Sequence, residues 1–105
     1  MARTVLITGG SGYFGSVLVD LALARNDTVR IFDLNPPAVH AGPVEFIEGD
    51  VRDRAALRQA CEGVDAVLHN VAQVPLARDR ELFWSVNVVG TANLLLAARD
   101  RKSVV

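Results

Sequence analysis

The sequence is poor in cysteine, in aromatic residues and in unbalanced charge. Cys61 is the one cysteine among 105 residues, which excludes an internal disulfide. Eleven lysines and arginines against twelve aspartates and glutamates leave a net charge of −1, so nucleic acid and anionic membranes gain no bulk electrostatic attraction. No apolar run approaches the roughly 20 residues of a membrane span, and no signal-type stretch follows Met1. We therefore expect a soluble, cytoplasmic protein whose partners bind at local sites.

Strand and helix patterns alternate along the chain. Half of the residues are apolar, which suits one domain with a buried core. The predicted strands are residues 4–8, 28–34, 44–48 and 64–69, with the start of a fifth at 103–105, and the predicted helices are residues 13–25, 54–62 and 80–101. This alternation predicts an α/β fold, a Rossmann-type open parallel sheet of order 3-2-1-4-5 flanked by helices, with its fifth strand truncated. Residues 1–105 then form one domain that is incomplete at its C-terminus.

Side-chain patterns also predict how the first two helices pack and end. Asp53 is a predicted N-cap of the second helix, and Gly63 is its predicted C-cap. The apolar face of the first helix is predicted to consist of Phe14, Val17, Leu18, Leu21 and Ala22.

A glycine-rich loop, Thr8-Gly9-Gly10-Ser11-Gly12-Tyr13-Phe14-Gly15, joins the first strand to the first helix. It fits both G-x-x-G-x-x-G and G-x-G-x-x-G, patterns that let backbone and a helix N-terminus approach a pyrophosphate. The lysine of a triphosphate-binding P-loop is missing, because Ser16 and Val17 follow the last glycine. The alternative reading is a glycine-rich turn without a ligand. We expect dinucleotide contacts at Gly9, Gly12, Tyr13, Phe14 and Gly15.

An acidic residue, Asp33, ends the second strand eighteen residues after Gly15. A carboxylate at this place can accept hydrogen bonds from the adenosine ribose hydroxyls. Two like charges about 4 Å apart at an effective dielectric near 20 repel by roughly 4 kcal/mol, which disfavours a 2′-phosphate. Leu34 adds no guanidinium that could rescue one, and Arg30 lies well before the strand end. The predicted cofactor is therefore NAD in preference to NADP, with Asp33 and Leu34 beside its ribose.

Together these motifs resemble the extended short-chain dehydrogenase/reductase family, in its NAD-dependent epimerase/dehydratase group, over the whole chain. The segment Gly49-Asp50-Val51-Arg52-Asp53 is similar to the family segment in which an aspartate meets the adenine amino group. The resemblance implies that Asp50 and the Val51 backbone lie beside adenine, in an NAD(P)-binding Rossmann domain.

Two later segments extend this resemblance. Val67-Leu68-His69-Asn70-Val71-Ala72 is similar to the family's V-I-H-x-A-A, which implies cofactor contacts at Val71 and Ala72. Asn87-Val88-Val89-Gly90-Thr91 matches N-V-x-G-T, in which the resemblance implies that Asn87 supports the cofactor surroundings.

The catalytic Tyr-x-x-x-Lys of this family cannot be written in these residues, since Tyr13 is the only tyrosine and Lys102 the only lysine. We assign no catalytic residue and expect little or no turnover from this chain alone. The leading hypothesis is the NAD-binding part of an epimerase, dehydratase or dehydrogenase acting on a nucleotide sugar or a similar alcohol or ketone. The alternatives are a non-catalytic dinucleotide-sensing module and a remnant without function. An unfinished sheet edge predicts self-association, as in a homodimer.

Other polar and aromatic residues receive structural interpretations. His69 is predicted to pack or hydrogen-bond at its strand end. His40 and Cys61 supply no workable set of metal ligands, so no metal is predicted. Phe83 and Trp84 are assigned to packing, and Gln73 to Pro75 to a loop near the nicotinamide side. The solvated face of the second helix is predicted to consist of Arg52, Arg54 and Arg58, without the aromatic residues of a nucleic-acid site.

Overall fold

The computed structural model describes residues 3–70 together with Ala92 and Leu94, and residues 3–70 form four parallel strands and two helices. They are β1 (Thr4–Thr8), α1 (Tyr13–Ala24), β2 (Thr28–Asp33), β3 (Val44–Glu48), α2 (Arg54–Ala60) and β4 (Ala66–His69). The strand order is β3-β2-β1-β4, which confirms the α/β Rossmann-type sheet for these strands. The predicted fifth strand falls outside the described part of the chain. Of the helix predicted over residues 80–101, only Ala92 and Leu94 are described: both are helical, and Leu94 is buried in a core cluster.

The central strand, β1, is buried on both of its faces. Val5 and Ile7 belong to a core cluster with Val19 of α1, whereas Leu6 belongs to a second cluster with Leu57 of α2. Successive side chains of a strand point to opposite faces, so each helix covers its own side of the sheet. The apolar run at residues 4–8 therefore follows from a strand between two helical layers.

The apolar face predicted for α1 is largely wrong. Phe14, Val17 and Leu21 are exposed, and the buried positions are Gly15, Val19 and Ala22. Helix α1 approaches the Gly9 carbonyl at Gly15, and only a residue without a side chain allows this close contact. Gly15 therefore faces the sheet. This orientation places the residues four and seven positions later, Val19 and Ala22, against the strands as well.

The predicted ends of several elements shift by one or two residues. Helix α1 ends at Ala24 instead of residue 25, and β2 ends at Asp33 instead of residue 34. The Asp53 carboxylate caps α2 by accepting from Ala56 N at 3.2 Å, as predicted. The predicted cap at Gly63 is wrong, because α2 already ends at Ala60 with Cys61 as its C-cap.

The segment after α2 explains the late start of β4 at Ala66 instead of residue 64. Glu62 N donates to the Gln59 carbonyl, and Val64 N donates to the Cys61 carbonyl. These are turn hydrogen bonds, so the backbone joins the sheet only after they end. Gly63 lies in this turn with φ of 74°. Within the described residues, neither helix is long and apolar enough to cross a membrane.

Candidate functional site at the carboxyl edge of the sheet

The carboxyl ends of all four strands meet at one edge of the sheet. In the parallel register, Thr8 lies opposite Phe32 and His69, and Asp33 lies opposite Glu48. The loops that follow these strands therefore start side by side. The fold thus brings the glycine-rich loop, Asp33 and Asp50 to the edge at which open α/β sheets bind ligands.

The glycine-rich loop makes a tight turn into α1. Gly9 has φ of 71°, its N–H donates to the Phe32 carbonyl at 2.9 Å, and its own carbonyl accepts from Gly12 N at 3.2 Å. Gly12 is the N-cap of α1, with no side-chain cap and no acidic side chain in the first turn. The first backbone N–H groups of a helix lack partners within the helix, and they attract anions.

The glycines of this loop differ in what a side chain would meet. A Cβ at Gly15 would lie 2.0 Å from the Gly9 carbonyl oxygen, and one at Gly10 would lie 2.8 Å from Ile31 Cγ2. Packing of the fold therefore requires both of these glycines. Among the described residues, a Cβ at Gly12 would meet only the Gly9 oxygen, at 3.5 Å, which is ordinary contact. The backbone at Gly12 is also extended, with φ of −80°. Neither packing nor backbone conformation within the described chain requires a glycine there.

Backbone amides hold the Asp33 carboxylate from two sides. Oδ2 accepts from Ser11 N of the glycine-rich loop at 3.1 Å, and Oδ1 accepts from Asn35 N at 2.9 Å. An ionised carboxylate has about four acceptor sites, so these bonds leave about two for further donors. The Ser11 hydroxyl is buried and has no hydrogen-bond partner among the described residues. The loop and the strand end thus present an acceptor and a hydroxyl that no described residue pairs with.

The guanidinium of Arg30 is bound away from Asp33. Its Nη1 donates to the Ala60 and Glu62 carbonyls at 2.6 and 2.7 Å, and its Nε donates to Glu45 at 3.1 Å. Arg30 thereby ties the end of α2 to the sheet. Leu34, the residue after Asp33, is 59% exposed.

Asp50 forms a local ion pair with Arg52. Arg52 Nε lies 3.0 Å from both carboxylate oxygens of Asp50, and this guanidinium lowers the pKa of the carboxyl group. The prediction that Arg52 shares a helix face with Arg54 is wrong, because α2 begins at Arg54 and Arg52 folds back onto Asp50. Val51, between the pair, is buried.

A small polar network joins the ends of β1 and β4. Thr8 Oγ1 lies 2.6 Å from His69 Nδ1 and accepts from Asn70 N at 3.0 Å. The hydrogen bond of His69 at its strand end is as predicted. Burial lowers the pKa of His69, which favours the neutral imidazole.

Several predicted site residues lie outside the described part of the chain, namely Val71, Ala72 and Asn87, together with Gln73 to Pro75, Phe83 and Trp84. Tyr13 and Phe14 are both exposed, at 90% and 67%. No group of three or more metal-ligating side chains occurs within the described residues. Sequence reasoning missed two contacts, that of Ser11 N with Asp33 and that of Arg52 with Asp50. The Asp-x-Arg spacing permits the second contact but does not determine it.

A cavity of about 940 Å³ lies at the opposite, amino edge of the sheet. Its lining includes the first residues of β2 and β3 and the loop over residues 39–43. His40 is not isolated in that loop as the sequence suggested, because its Nδ1–H donates to Asp20 Oδ1 at 2.8 Å. None of the glycine-rich loop, Asp33 or Asp50 lines this cavity.

Comparison with known proteins places these features in a family. The model of the NAD dependent epimerase/dehydratase family matches residues 5–105. The uncharacterized protein y4nG of Sinorhizobium fredii is 54% identical over 91 residues, which cover 87% of this chain and 23% of that protein. Human sterol-4-alpha-carboxylate 3-dehydrogenase, decarboxylating, is 33% identical over 99 residues, which cover 94% of this chain and 26% of the enzyme.

A solved structure shares the fold as well. UDP-glucose 4-epimerase of Thermus thermophilus, in complex with NAD, superimposes with a TM-score of 0.82 at 33% identity. The match covers 95% of this chain and 35% of the epimerase. The chain thus spans about a quarter to a third of the length of the proteins that it resembles.

Proposed function

The chain belongs to the NAD dependent epimerase/dehydratase family, and from this premise we propose that the carboxyl edge of its sheet binds NAD. The chain would be the cofactor-binding part of an epimerase, dehydratase or dehydrogenase. When bound, the nicotinamide ring supplies the hydride acceptor or donor, and the residues described here supply binding and orientation.

Gly12 is the observation that carries this proposal. Its backbone is extended, and within the described residues a Cβ would make only ordinary contact, so the fold does not require a glycine there. A ligand that lies against this stretch of backbone gives a physical reason for glycine. A pyrophosphate there would accept hydrogen bonds from the uncapped first turn of α1.

The loop and α1 provide the remaining pyrophosphate contacts in this proposal. Gly9 makes the turn, Gly15 lets the helix lie close to it, and the backbones of Tyr13 and Phe14 lie in the first turn of α1. Their exposed side chains would flank the cofactor. Val71, Ala72 and Asn87 are proposed for the nicotinamide side on the family resemblance.

Asp33 is proposed to bind the adenosine ribose. Its two remaining acceptor sites suit two hydroxyl groups, and its charge opposes a 2′-phosphate. Arg30 donates hydrogen bonds to carbonyls at and after the end of α2, so its charge is not placed to balance such a phosphate. NAD is therefore the proposed cofactor in preference to NADP, with Leu34 next to the ribose and with Asp50 and Val51 beside adenine.

Substrate, assembly and location are proposals that rest on the relatives. Human sterol-4-alpha-carboxylate 3-dehydrogenase and UDP-glucose 4-epimerase support an alcohol or ketone, including a nucleotide sugar, as substrate. A homodimer and a cytoplasmic location agree with the sequence expectations.

Calorimetric titration with NAD tests the proposal through a matched pair of glycine substitutions. Gly12→Ala should fold normally and bind NAD more weakly by about 1–3 kcal/mol, roughly ten- to a hundredfold. Gly42→Ala is the control, since its Cβ would meet only the end of the Leu23 side chain at 3.3 Å, at the amino edge. No NAD binding by the unmodified protein, or equal affinity in Gly12→Ala, would refute the proposal.

A further inference from the structure

Every described contact of the Asp50 carboxylate comes from Arg52, two residues later. Arg52 N donates to Oδ1 at 2.9 Å, Nη2 donates to Oδ2 at 2.5 Å, and Nε lies 3.0 Å from both oxygens. A carboxylate bound along its edge by a planar guanidinium and also by a backbone amide cannot turn about its last bond without breaking these contacts.

The contacts leave little acceptor capacity on Asp50. They use three hydrogens, on the Arg52 amide, Nε and Nη2, against about four acceptor sites of an ionised carboxylate. About one site stays available for a donor from outside. The side chain of Asp50 is 25% exposed, so a donor can reach it. Arg52 also lowers the pKa of this carboxyl group, which keeps it ionised and therefore unable to donate.

Asp50 also lies where the proposed cofactor needs a base-recognition group. Gly49, just before it, donates from its N–H to the Asp33 carbonyl at 3.0 Å, so Asp50 stands next to the proposed ribose site. A fixed acceptor with one available site suits the 6-amino group of adenine. It opposes the 6-oxo group of hypoxanthine, because two acceptors that face each other leave both groups without a hydrogen.

We propose that Arg52 is a positioning residue that fixes the Asp50 carboxylate so that the site selects a 6-aminopurine over a 6-oxopurine. This inference rests on the proposed function, since it assigns a specificity to the adenine end of that site. Without Arg52 the carboxylate can rotate and take up water, and its penalty against a 6-oxo group falls.

The competing explanation is an ordinary surface ion pair that only stiffens the loop between β3 and α2. Loss of such a pair would weaken every dinucleotide to the same degree. The ratio of two affinities therefore separates the two explanations. The suitable pair of ligands is NAD and nicotinamide hypoxanthine dinucleotide, which share every group except the 6-substituent of the base and its adjacent proton.

The experiment is calorimetric titration of both dinucleotides into the unmodified protein, Arg52→Ala, Arg52→Lys and Arg54→Ala. We expect the unmodified protein to prefer NAD by about ten- to a hundredfold, the scale of one charged hydrogen bond. Arg52→Ala should reduce this preference about tenfold, and Arg52→Lys should restore it in part, because lysine keeps the charge without the planar fork. Arg54→Ala removes the same charge from an exposed position and should keep the preference.

Each outcome bears on a separate claim. An unchanged ratio in Arg52→Ala overturns the role of Arg52, even if both affinities fall. Binding of neither dinucleotide by the unmodified protein overturns the proposed function itself. Circular dichroism checks that each variant is folded, and if Arg52→Ala is unfolded, Arg52→Lys decides the question by its ratio.

Discussion

Asp33 at the carboxyl edge of the sheet and two carboxylates at its amino edge are satisfied by different kinds of partner. Backbone amides hold Asp33 and leave part of its acceptor capacity available. At the amino edge, side chains pair with Asp27 and Asp20: Arg3 contacts Asp27 at 3.4 Å, and His40 contacts Asp20 at 2.8 Å. The cavity of about 940 Å³ lies at this second edge. The cavity and the unused acceptor capacity of Asp33 thus lie at different edges of the sheet, and the proposed NAD site is the one at Asp33.

The largest effect should come from a side chain added where α1 comes closest to the glycine-rich loop, at the carboxyl edge. Gly15→Ala places a Cβ 2.0 Å from the Gly9 oxygen, so α1 must move away from the loop. We expect the free energy of unfolding to fall by about 3 kcal/mol, more than the roughly 1 kcal/mol that alanine gains as a helix former, and NAD binding to be lost. Urea denaturation followed by circular dichroism measures the change. A midpoint equal to that of the unmodified protein would contradict the close approach.

Removal of a carboxylate from each edge compares the two directly. Asp33→Ala should weaken NAD binding about ten- to a hundredfold and narrow the preference over NADP, because ribose acceptors and a negative charge are both lost. Asp20→Ala removes the same group from the amino edge and should leave both affinities unchanged. Titration with NAD and NADP provides the test, and equal behaviour of the two variants would remove the distinction between the edges.

A smaller effect should appear on acidification. Burial lowers the pKa of His69 in the folded chain from 6.5, so between the folded and unfolded pKa values the unfolded chain binds more protons. The free energy of unfolding should therefore fall as the pH drops below about 6.5. His69→Gln should flatten this dependence while keeping an acceptor for Thr8. Denaturation curves at several pH values give the pH dependence of the free energy of unfolding for the unmodified protein and for His69→Gln. The same dependence in both proteins would argue against the contribution of His69.

The smallest effect is expected at the amino edge. His40 donates one hydrogen bond to the exposed Asp20, while its buried Nε2 has no partner within residues 3–70. His40→Leu loses the hydrogen bond to Asp20 but also removes the buried Nε2. The two effects oppose each other, so the free energy of unfolding should change by less than about 1 kcal/mol. NAD affinity should not change. A marked loss of affinity would show that the amino edge takes part in binding.

Local sequence patterns were sufficient to predict part of the fold and part of the candidate site. The bounds of β1 and β3, the cap at Asp53 and the place of Asp33 follow from residue types and spacing alone. The buried face of α1 could not be predicted from hydrophobicity, because the approach of Gly15 to the loop decides which side faces the sheet. The ion pair of Asp50 with Arg52 depends on the path of the loop, which two residues of spacing do not determine.

The hydrogen bond from Ser11 N to Asp33 has a consequence for redesign of the cofactor preference. The carboxylate that is proposed to oppose a 2′-phosphate also holds the loop that would receive the pyrophosphate. An exchange of Asp33 for a neutral or basic residue removes both at once, so the loop would lose part of its preorganisation as the charge barrier disappears. A variant that accepts NADP well would need a second substitution that braces Ser11 again, and a single exchange should give a protein that discriminates little and binds both dinucleotides poorly.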